Sequence, residues 1–198
     1  MLRSPRLLLV CLLLTGTVLF SCKKTAEEYI RDLLEAEVIF KQDIAFPYPF
    51  PVAPETVNSV QVPPYAVPMN VDSVLRAETN NNFGKQDLKS AKMSSIKLYM
   101  PKTTPITASN LDTIRLTAQV SSSPDILKIE VTNNFNIITE EDRYVLNIPV
   151  DTNRELLNYL SSSTISYSLY GKFKNNLTFT TLGIYNMIFT YKLLVRKN

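Results

Sequence analysis

Histidine is absent from this chain, and so is tryptophan. Histidine is the commonest general base and metal ligand near neutral pH. Without it no Ser-His-Asp or Cys-His site can be built, nor a zinc site of the usual His/Cys kind. Without tryptophan, one of the best ring platforms for stacking a sugar is missing. Glycine is scarce as well, with four residues in 198. Three of them, Gly84, Gly171 and Gly183, lie far apart, so no P-loop or dinucleotide-binding turn is present. No apolar run reaches the ~20 residues that a membrane-spanning helix needs. Only two cysteines occur, Cys11 and Cys22.

What is present begins with the first two dozen residues. Arg3 and Arg6 make a basic start, Leu7 to Leu14 is an apolar run, and Thr15 to Phe20 continues it with small and apolar residues. That is the layout of a secretory signal. The stretch Leu19-Phe20-Ser21-Cys22 resembles a bacterial lipobox, with Phe20 standing where a smaller side chain is commoner. Its continuation Ser21-Cys22-Lys23-Lys24 is similar to lipoproteins of the Bacteroidota. The resemblance implies a signal peptide over residues 1–21 and lipidation of Cys22 by acyl chains such as palmitate. It also implies anchoring in the outer membrane, on either its periplasmic or its surface face. Cys11 would leave with the signal, so the mature chain could form no internal disulfide. Losing Arg3 and Arg6 also leaves 19 basic against 18 acidic residues, a formal charge of +1. No basic patch points to nucleic acid.

Tyr29, Leu33, Ala36 and Phe40 recur at helical spacing, which predicts an amphipathic helix or tether over residues 22–43. Glu27, Glu28, Asp32 and Glu35 lie mostly off that stripe. Seven of the twelve prolines then fall between Pro47 and Pro68. Proline fixes φ and removes a donor, so this stretch is neither helix nor central strand. Its many aromatic and β-branched residues make it too apolar for a free linker. Residues 44–70 therefore read as extended chain packed onto the domain that follows. Asp72 is placed to cap a short helix through Ala77, and Asn80 to Gly84 reads as a turn with Gly84 at positive φ.

From Ser95 the apolar period becomes two. Ile96, Leu98 and Met100 alternate with Lys97 and Tyr99. The same pattern recurs at Ile114 to Val120, Leu127 to Val131, Tyr144 to Val150, Ile165 to Phe173 and Tyr185 to Val195. Each set reads as a half-buried antiparallel strand. Thr152-x-x-Glu155 has the form of a capping box before Leu156, Leu157 and Leu160, which predicts one helical insert. Strands without alternating helices exclude a parallel α/β fold. The expectation is an all-β antiparallel sandwich over residues 44–198, and the alternation resembles immunoglobulin-like sandwiches generally.

Chemistry-bearing clusters are few. Glu140, Glu141 and Asp142 form the densest acid run, but a calcium loop spaces its oxygens and this run is contiguous, so it reads as a solvated turn. Neither a cofactor nor a catalytic residue set is expected. Asp72-Ser73-Val74 and Asp112-Thr113-Ile114 resemble the short O-glycosylation pattern of Bacteroidota, although an N-cap and a strand start account for them. The remaining lead is aromatic: Tyr99 and Tyr170 fall on the polar face of their strands, and Phe83 and Phe135 fall in loops. Exposed rings can stack on a sugar or anchor a protein. The sequence thus points to a non-enzymatic, lipid-anchored envelope protein serving as an interaction or accessory module with a protein partner. The second reading is a glycan-binding surface lipoprotein of a polysaccharide-uptake system, with Tyr99 and Tyr170 as its contacts.

Overall fold

The computed structural model describes residues 34–46, 55–120, 126–133, 135–180 and 184–197. The chain divides into two units, residues 1–36 and 37–198, and nearly all described residues belong to the second. Cys22 and Cys11 lie outside the described residues, as do Tyr29 and Leu33.

The strands in chain order are β1 (Glu35–Ala45), β2 (Glu55–Pro68), β3 (Leu88–Pro101), β4 (Leu111–Gln119), β5 (Ile126–Thr132), β6 (Asn136–Thr139), β7 (Arg143–Ile148), β8 (Thr164–Phe179) and β9 (Asn186–Arg196). Two short α-helices, α1 (Val71–Glu78) and α2 (Leu157–Leu160), and one 3-10 turn at Lys85–Asp87 interrupt them. The strands form a five-stranded sheet in the order β1-β9-β3-β7-β6 and a four-stranded sheet in the order β2-β8-β4-β5. All six expected strands form, and the fold is the expected antiparallel sandwich.

The order of the strands refines that expectation. An immunoglobulin sandwich sets its first two strands side by side in one sheet. Here β1 and β2 lie in different sheets, as do β3 and β4. The neighbours are nested: β4 with β5, β3 with β7, β2 with β8, and β1 with β9. A long hairpin folded over on itself gives this interleaving, which is that of a jelly roll.

Alternation explains the core. Met187, Phe189, Tyr191, Leu193 and Val195 of β9 are all buried, and so are Ile165, Tyr167, Leu169 and Phe173 of β8. These two strands face each other across the sandwich, with Tyr167 and Phe189 rings 4.9 Å apart. Gly171 interrupts the β8 run because β2 comes close there. A Cβ at this position would sit 3.2 Å from Cγ2 of Val60.

Four local expectations are corrected. Residues 35–43 form strand rather than helix, because Val38, Phe40, Gln42 and Ile44 are buried at period two and β9 pairs alongside them in the larger sheet. Asp72 is not the cap of α1, since Asn70 holds that position. Asp72 sits in the first turn, pairs with Arg76 at 2.8 Å and accepts the Lys85 N–H. In the turn after α1 it is Asn80 and Asn81 that take positive φ, at 51° and 64°, while Gly84 is extended at −130°. Asparagine tolerates the left-handed region better than most residues. Finally, the helical insert is one turn, and Thr152 does not cap it. Leu156 holds the N-cap position, and Glu155 before it accepts the N–H groups of Leu156 and Leu157, each at 3.1 Å. The same carboxylate reaches β3, accepting Ala91 N–H at 2.7 Å and Ser90 hydroxyl at 2.6 Å. Burial works against its charge. The four hydrogen bonds outweigh that and hold its pKa below the usual carboxylate range.

Candidate functional site

Tyr99 lies on the outer face of the larger sheet, directly between Val145 of β7 and Asn186 of β9. Tyr170 lies on the outer face of the smaller sheet, between Gln61 of β2 and Arg115 of β4. The two rings therefore stand on opposite sides of the sandwich, and no single ligand platform contains both. Each ring is half-buried and carries a cation over its face: Arg143 lies 4.8 Å from the Tyr99 centroid and Arg115 lies 5.5 Å from that of Tyr170. Such contacts are favourable and use the ring face that a sugar would need.

Both arginines are held in turn by acids. Arg143 Nε sits 3.0 Å from Glu140 and 3.3 Å from Asp142, which places these two members of the acid run in a hairpin turn between β6 and β7. Arg115 Nε pairs with Glu130 at 2.7 Å, and Lys128 Nζ reaches the same oxygen at 2.7 Å. The Lys128 ammonium, and then the Arg115 guanidinium, hold the Glu130 carboxyl below its usual pKa range. Among the described residues no group of three or more acids or thiols is placed to hold a metal ion. The arginines went unnoticed at the level of sequence, although Arg115 alternates with the same apolar set that placed β4.

The loop aromatics divide. Phe83 is buried at 2% exposure, so it is a core residue and not a surface contact. Phe135 is half-buried just before β6.

A void of about 30 Å³ lies between the sheets, lined by Leu98, Met100, Ile114, Leu146, Leu169 and Phe173. Ligand sites span ~300–1,000 Å³, so this is a packing defect. A polar cluster is buried between the sheets: the Tyr167 hydroxyl donates to Gln42 Oε1 at 2.9 Å, and Gln42 Nε2 donates to the Pro68 carbonyl at 3.4 Å. Burial raises the pKa of Tyr167 strongly and pushes Tyr191 beside it up to about 12, so both stay neutral and structural. Two open grooves lie among the described residues. One, of about 450 Å³, runs on the outer face of the larger sheet, where Lys92 and Lys192 stand directly opposite each other with Glu37 alongside. The other, of about 220 Å³, runs beside β5 and is lined by apolar Leu127, Ile129 and Leu156 together with charged Lys128, Glu130 and Arg154.

No family model matches the chain, and no curated protein matches it. Among solved structures it is similar to a protein of Desmodium yellow mottle tymovirus, at 8% identity over 83% of this chain and 90% of that one, with a TM-score of 0.30. A likeness this distant carries no conclusion. What defines the class of this protein is its own strand order, that of an antiparallel sandwich of two sheets.

Proposed function

We propose that this protein is a lipid-anchored module of the outer membrane that acts by binding another protein and performs no catalysis. The observation that carries the reading is the sequence Leu19-Phe20-Ser21-Cys22 at the end of a short apolar run. Acyl chains on Cys22 would hold the domain at the membrane, and more than one chain is needed for firm attachment. The absence of histidine supports a non-catalytic role. Two sheets, and open grooves such as those beside β5 and across Lys92 and Lys192, favour a macromolecular partner over a small substrate.

The glycan reading is the weaker one. Tyr99 and Tyr170 stand on different sheets, each under an arginine, so a sugar would have to displace Arg143 or Arg115 first. Membrane fractionation with fatty-acid labelling tests the anchor. The native chain should label and sediment with membranes, and Cys22→Ser should do neither. A Cys22→Ser chain that still labels would refute lipidation there. Recovery from detergent-solubilised membranes tests the role: a stoichiometric protein partner is expected, and glycan binding lost in Tyr99→Ala would reverse the preference.

A further inference from the structure

The smaller sheet ends on one side at β5, and among the described residues β5 pairs only with β4. Among the described residues its outer backbone groups have no strand beside them, which is the template for adding another strand. Among the described residues neither proline nor a bulge blunts this edge, whose exposed charges are Lys128 and Glu130. The seven residues Ile126 to Thr132 contain no proline, and their register with Thr113 to Gln119 runs without a bulge. The side chains on the inner face are also unfinished. Leu127 is buried, but Ile129 and Val131 are half-exposed, and Ile129 lines the open groove beside the strand.

The sequence of β5 selects an occupant. In an antiparallel pair, residues directly opposite share one face of the sheet. A second β5 can therefore be centred on Lys128, on Ile129 or on Glu130. Centring on Lys128 sets Lys128 against itself, and centring on Glu130 sets Glu130 against itself. Centring on Ile129 sets Lys128 opposite Glu130 of the second copy, and Glu130 opposite its Lys128. The same register puts Leu127 opposite Val131 on the inner face and Ile129 opposite itself. Only this one of the three matches charge with charge and apolar with apolar.

We propose that β5 pairs antiparallel with β5 of a second copy of this chain, about a two-fold axis at Ile129, joining the two four-stranded sheets into one. The contact is isologous, so it closes at a dimer. Lys128 already pairs with its own Glu130, so the ion pairs are redistributed rather than added. The gain comes from the new backbone ladder and from covering Ile129 and Val131. Seven residues a side fall short of the ~800 Å² per partner of a standard interface, so the dimer is weak in free solution. Confinement of both copies to one membrane would raise their effective concentration. The pairing goes beyond the anchored-module reading and needs the strand edge, not the lipid, so the two fail separately.

Sedimentation of the full chain in detergent, over a range of concentrations, tests it. The native chain should show a monomer–dimer equilibrium. Lys128→Glu sets acid against acid at two symmetric places, and Glu130→Lys sets base against base. Each should weaken the dimer about tenfold or more while its thermal melt shows a folded chain. Mixing the two variants restores opposite charges at both places, and a heterodimer should appear at near-native strength. A native chain that stays monomeric, single variants that dimerise like the native chain, or a mixture that fails to recover, would each overturn the proposal.

Discussion

Two strands rim the smaller sheet, and they are finished differently. β2 is 14 residues long and carries Pro63, Pro64 and Pro68. Its register against β8 breaks twice, between Val57 and Ser59 and between Val62 and Tyr65. Pro63 and Pro64 fall inside the second break, where no ladder bond is asked of them. β5 has half the length, one unbroken register and no proline. Proline and bulges are how natural sheets stop unwanted strand addition. The comparison shows that one sheet can close one rim by backbone chemistry and leave the other to the pattern of its side chains.

The largest expected effects concern how each rim is seated. Leu127 is buried at 4% exposure, while Ile129 is half-exposed. Leu127→Ala should cost about 3 kcal/mol in urea unfolding and Ile129→Ala about 1 kcal/mol. Equal costs would mean that the inner face of β5 is fully covered.

Tyr65 tests the other rim. Its hydroxyl is buried without a hydrogen-bond partner among the described residues, and burial pushes its pKa up to about 12 from 10.0. Tyr65→Phe removes that unpaired group and should raise stability by about 1 kcal/mol. Tyr191 is likewise pushed up to about 12. The folded state then keeps protons that the unfolded chain releases near pH 10. Stability is full below pH 10 and falls as pH rises from about 10 through 12. Tyr65→Phe should reduce the slope in that window, which pH-jump unfolding would measure.

Replacing Pro63 and Pro64 by threonine should change stability by less than about 1 kcal/mol, since both side chains are exposed. It should nevertheless add higher-order association by light scattering, because the β2 rim becomes an open template. Smallest of all, Arg115→Ala removes an ion pair on an exposed face and should cost about 0.5 kcal/mol at low salt.

Much of this was legible before the fold was seen. Six strands announced themselves through period-two burial, because each has one face on the core and one on solvent. β6 did not, since Asn136-Ile137-Ile138-Thr139 is four residues long and buries little. β1 was misread because Ala36 and Phe40, following Tyr29 and Leu33, also fit helical spacing. The Val38-Phe40-Gln42-Ile44 alternation was weakened by a buried glutamine, whose partner Tyr167 lies 125 residues away in the chain. Tyr99 and Tyr170 were placed on the correct outward faces, but that they lie on different sheets depends on strand order, which periodicity does not encode. The β5 edge was equally hidden, because an edge is a property of the sheet and not of the strand.

The pairing of β5 with a second β5 has one direct test. Directly opposite residues in an antiparallel pair have Cα atoms about 4.5–5.5 Å apart, within the span of a disulfide. In the full chain carrying Cys22→Ser, an added Ile129→Cys should give a covalent dimer under mild oxidation. The Cys22→Ser chain alone, which retains Cys11, should not. Failure of Ile129→Cys to cross-link beyond that control, with the chain folded, would contradict the two-fold axis at Ile129.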